Sequence, residues 1–266
     1  MKRVLITRWE SPGVSRRTRD TVAVEEPLEL RVDTRPVAVI MRTPGHDDEL
    51  AAGFLVSEGL IRTRGDVHAL RPNPRNRTGN VLDVFLAPEV TVDFSRLTRH
   101  VFASLSCGLC GKTSIASVCR QFPRLDGSFR ISRDHLLTLP DTLRAAQEMF
   151  ANTGGLHAAA LFDGQGRVVQ LREDVGRHNA VDKVIGRAFL DGRWPLADCG
   201  LLVSGRISFE IVQKALAAGI SLVAAISAPT SLAVEFARQS GVTLIGFLRP
   251  GRFNVYAGGD GIADSR

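Results

Sequence analysis

The carboxy-terminal half of the chain alternates short apolar runs with stretches of helical periodicity. The apolar runs are HAAALF, RVVQL, GLLV, SLVAA and VTLIGFL. In residues 176–190, apolar side chains recur at the i, i+3, i+4 spacing that favours one helix face, namely at Val181, Val184, Ile185, Ala188 and Phe189. From residue 140 onward the pattern predicts a helix, two strands and then three helix–strand pairs.

Strands that are apolar throughout indicate a sheet covered on both faces, because single-helix crossovers place helices on each side. The sequence therefore predicts an α/β fold, a three-layer α/β/α sandwich, with the element order of the cytidine-deaminase-like fold. Zinc deaminases carry H-x-E and P-C-x-x-C at the starts of the second and third helices, where this chain reads GRHNA and RISF. We expect the scaffold without zinc ligands, without deaminase chemistry and with no metal site.

The first 98 residues have the pattern of a smaller α+β domain. Short β segments occupy residues 21–42, and PGHDDELAAGFLVSEGLI predicts a helix, since its proline and acids suit a positive helix end. VLDVFLA predicts a returning strand. The predicted division is 1–98 for the small α+β domain with an N-terminal tail, 99–128 for a linker with a CxxC loop and a short helix, and 129–266 for the sandwich.

The composition limits the chemical classes of partner that the chain is expected to bind. The chain has 34 basic and 28 acidic residues, a formal charge of +6, which favours an anionic partner. Only 6% of residues are aromatic and no basic run is interleaved with aromatics, so we expect no nucleic-acid binding.

There is no apolar stretch of about 18 residues and no signal-peptide core, which predicts a cytoplasmic protein outside the membrane.

Three predicted strand ends carry similar polar loops: SGRIS at 204–208, SAPTS at 227–231 and RPGR at 249–252. Ligands of open α/β sheets gather at the carboxyl ends of strands, and arginine grips phosphate in a bidentate fashion. The loops therefore predict a pocket for an anionic, nucleotide-like ligand. The alternative is that the hydroxyls only cap helices, at Ser208, Thr230 and Ser231.

A second polar cluster, DVGRHNAVD, places His178 and Asp182 one helical turn apart on the same face. One interpretation is an acid that orients a base. The other is a histidine of the core with its hydrogen bonds made and only a structural role, beside an aspartate that caps the helix. The sequence leaves both open, and we assign neither residue a catalytic role.

The stretch SCGLCGK holds two thiols, Cys107 and Cys110, followed by Lys112 and a short predicted helix. A helix N-terminus and a nearby ammonium group lower the pKa of a thiol, which makes it more nucleophilic. Three interpretations compete: a structural zinc site completed by Cys119 and Cys199 or a histidine, a dithiol redox centre, or carriage of sulfur as a persulfide.

Several long blocks, in order, resemble the FdhD family of formate dehydrogenase accessory sulfurtransferases. They are TPGHDDELAAGFLVSEGLI, SCGLCGK, LREDVGRHNAVDKVIG, SGRISFEIVQKALAAGI, SAPTSLAVEFA and GFLRPGR. The resemblance runs over most of the chain from about residue 20.

The resemblance implies a sulfurtransferase that is loaded by a cysteine desulfurase and supplies a molybdenum or tungsten bis(molybdopterin guanine dinucleotide) cofactor, carried as cargo for a formate dehydrogenase. It implies that Cys107 bears the persulfide, that Cys110 is its partner in relay or release, and that the protein is a homodimer. The cofactor-binding segment that it implies is Phe247, Leu248, Arg249, Pro250, Gly251 and Arg252. The remaining alternative is a non-catalytic nucleotide-binding module whose CxxC is a zinc or redox element.

Overall fold

A computed structural model describes residues 1–92, 94 and 121–264. Its α-helices are α1 (Asp47–Ser57), α2 (Arg133–Ala146), α3 (Glu148–Thr153), α4 (Arg177–Leu190), α5 (Phe209–Ala217) and α6 (Ser231–Ser240). Its strands are β1 (Lys2–Glu10), β2 (Val14–Val22), β3 (Glu26–Val32), β4 (Arg35–Arg42), β5 (Val67–Pro72), β6 (Val81–Leu86), β7 (Ile131–Ser132), β8 (His157–Phe162), β9 (Val168–Asp174), β10 (Gly200–Val203), β11 (Leu222–Ala225), β12 (Thr243–Arg249), β13 (Arg252–Ala257) and β14 (Ile262–Ala263).

The largest sheet has six strands in the order β13-β12-β11-β10-β8-β9. Strands β10, β11 and β12 are parallel, whereas β8 runs antiparallel to β10. The two outermost strands, β9 and β13, are each antiparallel to their neighbour. The predicted α/β class is confirmed. The carboxyl ends of the three parallel strands and the first residue of β8 consequently lie at one edge of the sheet.

Helices cover both faces of this sheet. Successive side chains of a strand point to opposite faces, and Leu201 and Leu202 accordingly belong to two separate buried clusters. The cluster of Leu201 includes residues of α4, α5 and α6, whereas that of Leu202 includes Leu136 and Leu139 of α2. Burial on both faces explains why these strands are apolar along their whole length.

The amino-terminal region forms a four-stranded sheet, β4-β3-β6-β5, with α1 packed against α4 of the other region. The two helices cross at Gly53 and Gly186. A Cβ atom at Gly53 would overlap the carbonyl oxygen of Asp182, and one at Gly186 would overlap that of Glu49. Because the backbones touch, α1 is buried in the same apolar cluster as α4.

Several elements differ from the sequence predictions, and three of them stand out. The expected N-terminal tail is a hairpin, β1 and β2, which turns at Gly13 with φ +83°. Helix α2 begins at Arg133, earlier than expected, because Ser132 caps it by accepting from the backbone N–H of His135 at 3.2 Å. Strand β13 was not predicted after β12. No helix among the described residues is both long and apolar enough to span a membrane.

Candidate functional site

The three polar loops lie side by side at the carboxyl edge of the sheet. The backbone N–H of Ile207 in the first loop donates to Ala228 O in the second at 3.1 Å. Phe247 N, beside the third loop, donates to Ser227 O at 3.0 Å. These bonds fix the loops relative to one another, so their exposed groups face a common region.

Helices α4 and α5 begin next to each other at this edge. The imidazole Nε2 of His178, in the first turn of α4, lies 3.1 Å from the hydroxyl of Ser208, which precedes α5. The same nitrogen is 3.9 Å from a carboxylate oxygen of Glu210. Burial, together with the cationic Lys214 and Arg177, lowers the pKa of His178 to about 4 although Glu210 opposes the shift. The imidazole is therefore neutral at neutral pH.

A second imidazole, His157, lies at the start of β8 on the same edge. Partial burial lowers its pKa, and so do the positive charges of Arg177 and Arg206. A Cβ atom at Gly205 would lie 3.2 Å from His157 Nδ1, so the loop backbone passes directly over this ring. The buried Nε of Arg177 has no hydrogen-bond partner among the described residues. The edge thus concentrates two guanidinium groups around two neutral imidazoles.

The sequence left open whether the loop hydroxyls only cap helices, and the structure shows this for Thr230 but not for Ser208. Thr230 caps α6 by accepting from Ala233 N at 3.3 Å. Ser208 occupies the capping position of α5 but makes no side-chain cap, since its hydroxyl contacts His178. Gly176 occupies the capping position before α4, which therefore also lacks a side-chain cap. The N-terminus of α4 therefore keeps its partial positive charge beside Arg177, whereas the first turn of α5 carries the carboxylate of Glu210.

The segment from Phe247 to Arg252 turns from β12 into β13. Phe247 has φ +52°, a left-handed conformation that is rare for a bulky residue, and its side chain is 43% exposed. Leu248 is fully buried in the apolar layer. The guanidinium of Arg249 donates to Ile226 O and to Leu248 O, whereas Arg252 is exposed. Pro250 and Gly251 form the exposed turn, and contact of this segment with a ligand stays a prediction.

Neither sequence interpretation describes Asp182. Its carboxylate is buried, accepts from Lys214 Nζ at 2.8 Å and from the Ser57 hydroxyl at 2.9 Å, and makes no recorded contact with His178. Burial raises its pKa despite the ion pair. The acid that faces His178 is Glu210, which we did not predict. The missed signal is its placement two residues after Ser208, in the first turn of α5.

A second buried ion pair holds the start of α4. Asp174 is fully buried, 2.7 Å from Lys183 Nζ, and accepts from Gly176 N at 2.8 Å. It also accepts from Thr43 N at 3.1 Å, at the end of β4. The amino-terminal sheet therefore helps to fix the helix that carries Arg177 and His178.

The predicted thiols Cys107 and Cys110 lie outside the described residues, as do Lys112 and Cys119. Cys199 is buried, and burial followed by the neighbouring Asp198 raises its pKa to about 11. No group of three or more His, Cys, Asp or Glu side chains suited to hold a metal occurs in residues 1–92, 94 and 121–264. Where the described chain resumes, Gln121 donates to the carbonyl of Glu58, the residue after α1, at 2.8 Å.

Comparisons with known proteins agree on one family. The sequence model of the FdhD/NarQ family matches residues 23–263. The sulfur carrier protein FdhD of Streptomyces coelicolor is 50% identical over 252 residues, 92% of this chain and 89% of that protein. The protein of the same name from Mycobacterium tuberculosis is 52% identical over 253 residues, 91% of this chain and 92% of that one.

A solved structure has the same fold. The crystal structure of a formate dehydrogenase accessory protein from Desulfotalea psychrophila superposes with a TM-score of 0.78, covering 98% of this chain and 99% of that one. The two sequences are 22% identical, so this likeness supports the fold alone.

Proposed function

Because the chain belongs to the FdhD/NarQ family, we propose that it is a sulfur carrier that serves a formate dehydrogenase. Support comes from relatives that are about 50% identical in sequence and are named sulfur carrier proteins. The chain spans about nine tenths of their length.

The proposed carrier chemistry is a persulfide on Cys107. The Cys107 thiolate attacks the outer sulfur of a desulfurase persulfide, one S–S bond forms as another breaks, and the desulfurase thiolate leaves. No net oxidation occurs. The Cys110 thiolate can then attack Cys107 Sγ, which forms an intramolecular disulfide and releases sulfide, or it can take over the outer sulfur in a relay. Either step balances with the groups of the SCGLCGK stretch alone.

We propose that the carboxyl edge of the sheet holds the guanine dinucleotide arms of a molybdenum or tungsten cofactor, which is the substrate. The observation that carries this proposal is the uncapped N-terminus of α4 beside Arg177 and Arg206, both close enough to lower the pKa of His157. Such an arrangement favours phosphate, since helix N-termini and guanidinium groups both donate to anionic oxygens. Phe247 and Arg252 are the exposed members of the neighbouring segment that offer stacking and charge.

The carrier step is tested by mass spectrometry after incubation with a cysteine desulfurase and free cysteine. We expect one added sulfur atom on the peptide that contains Cys107 in the wild type and in a Cys119→Ala control. A Cys107→Ala variant should remain unloaded. Equal loading of Cys107→Ala would remove that residue from the proposed role, and tightly bound zinc on untreated protein would instead support a structural CxxC.

The cytoplasmic location predicted from the sequence and the homodimer implied by the family resemblance stay proposals. Sedimentation velocity of the full chain tests the dimer, for which we expect one species of twice the chain mass. A monomer at micromolar concentration would contradict it.

A further inference from the structure

The hairpin of β1 and β2 precedes residue 23, so it lies outside the residues that match the family model. Its two strands have nine residues each, and the ladder runs without interruption from the Lys2–Val22 pair to the Glu10–Val14 pair. Within the described chain this sheet has only these two strands. The hairpin also contacts α3 through β2, but a two-stranded ribbon contributes little stability of its own in water, which favours a further occupant that covers it.

One face of the hairpin carries no carboxylate. Residues opposite each other in a ladder lie on the same face, so the register defines this surface, which we call the arginine face. Its members are Arg3, Leu5, Thr7, Trp9, Ser15, Arg17, Arg19 and Thr21. The opposite face contains the only two acids of the hairpin, Glu10 and Asp20.

The arginine face is exposed. Trp9 is 72% exposed and Leu5 is 67% exposed. Its arginines are exposed too, and none of them forms an ion pair with any described residue, in contrast to Arg16 on the opposite face, which pairs with Glu10 at 3.0 Å. Tryptophan and arginine are the residues most enriched in the energetic centres of protein interfaces.

We propose that the arginine face docks an acidic surface of a partner protein. The hairpin has six basic side chains against two acidic ones, so most of the excess positive charge of the chain is concentrated there. An acidic surface complements this charge, and burial of Trp9 and Leu5 provides the apolar centre of the contact. The proposal stands on the hairpin alone and does not depend on the sulfur-carrier role.

Other anionic occupants fit this surface less well. A single-stranded nucleic acid needs a series of aromatic platforms, and the arginine face has only Trp9. A membrane surface needs a broad apolar face, and here two apolar side chains stand among polar ones. A second copy of this basic chain would bring like charges together. An acidic protein surface satisfies both the charge and the small apolar centre.

The experiment uses the full chain and a fluorescein-labelled poly-L-glutamate peptide of about ten residues, the length of one hairpin strand. Binding is measured by fluorescence anisotropy at low salt. The test variant is Arg3→Glu/Arg17→Glu/Arg19→Glu. The matched control is Lys2→Glu/Arg8→Glu/Arg16→Glu, which makes the same change in net charge on the opposite face of the same hairpin.

We expect the test variant to raise the Kd at least about tenfold and the control to raise it less than about threefold. Trp9→Ala should also weaken binding, although it changes no charge. If both triple variants lose affinity equally, the arginine face has no special role and the proposal fails. Circular dichroism checks folding, and the milder triple Arg→Gln variant replaces the test variant if the hairpin unfolds.

Three further arms identify a different occupant. Tighter binding to a single-stranded oligonucleotide of similar length, or to phosphatidylserine vesicles, would overturn the proposal in favour of that ligand. Sedimentation velocity tests the second copy: loss of a dimer in the test variant but not in the control would assign this face to self-association instead.

Discussion

Replacement of Lys214 by methionine should destabilise the fold and perturb the candidate site together. The substitution keeps the length of the side chain and removes the ammonium group that lies 2.8 Å from both carboxylate oxygens of Asp182. Among the side chains that the structure describes, only the Ser57 hydroxyl would then still donate a hydrogen bond to Asp182. A buried charge that has lost its partner typically costs about 3–5 kcal/mol of folding free energy.

The loss should depend on pH in a defined direction. Burial already raises the pKa of Asp182 in the folded protein, and removal of Lys214, which opposes this shift, should raise it further. Since the folded-state pKa lies above the unfolded one, protonation favours the folded state. The deficit of Lys214→Met should therefore be full at pH values above the folded pKa and should shrink as the pH falls below it.

Urea unfolding at pH 7 and at pH 5 measures this prediction, with the double variant Asp182→Asn/Lys214→Met as the comparison. In the double variant no buried carboxylate is left without a charged partner, so it should be more stable than Lys214→Met alone. NMR titration should show a raised pKa for His178, because the charge of Lys214 contributes to lowering it. A cost of Lys214→Met below about 1 kcal/mol, or strictly additive effects, would refute the reasoning.

Other predictions follow from the same contacts. Gly186→Ala should cost about 1–3 kcal/mol in urea unfolding because its Cβ would overlap backbone of α1, whereas Gly65→Ala, whose Cβ has room, should change stability by less than about 0.5 kcal/mol. The free energy of unfolding should fall as the pH drops from 6.5 to about 4, because His178 has a lower pKa in the folded protein than in the unfolded chain. We expect a loss of about 1–3 kcal/mol, a range reduced for solvent screening because the side chain is 34% exposed. His178→Gln should flatten this dependence. Arg177→Ala and Arg252→Ala should each weaken guanosine diphosphate binding in calorimetry by about 1.5–3 kcal/mol, and unchanged affinity would remove that arginine from the site.

The sequence predicts the large sheet well because its signal is local. Strands buried on both faces have to be apolar along their length, and each helix between them shows its own periodicity, so elements such as β10 and α4 are evident without any contact information. The β1–β2 hairpin gives no such signal, since nearly all of its side chains are exposed and no contrast between faces marks it as a strand pair.

The candidate site is less predictable because its contacts are tertiary. His178 meets Ser208, which lies 30 residues later, and no periodicity within α4 reveals that neighbour. Asp182 pairs with Lys214 from another helix, although it lies one turn from His178. Strand alternation could not have separated Phe247 from Leu248 either, because both faces of β12 are buried up to Gly246 and the strand is irregular at Phe247, where φ is +52°.

The end of α1 connects the two parts of the proposed function. Glu58, just after α1, is bonded to Gln121, where the described chain resumes after the segment with Cys107 and Cys110. Ser57, the last residue of α1, is bonded to Asp182, whose partner Lys214 influences His178 at the sheet edge. We therefore expect Ser57→Ala to alter both the pKa of His178 and the sulfur loading of Cys107, whereas an isolated effect on stability would confine Ser57 to a packing role.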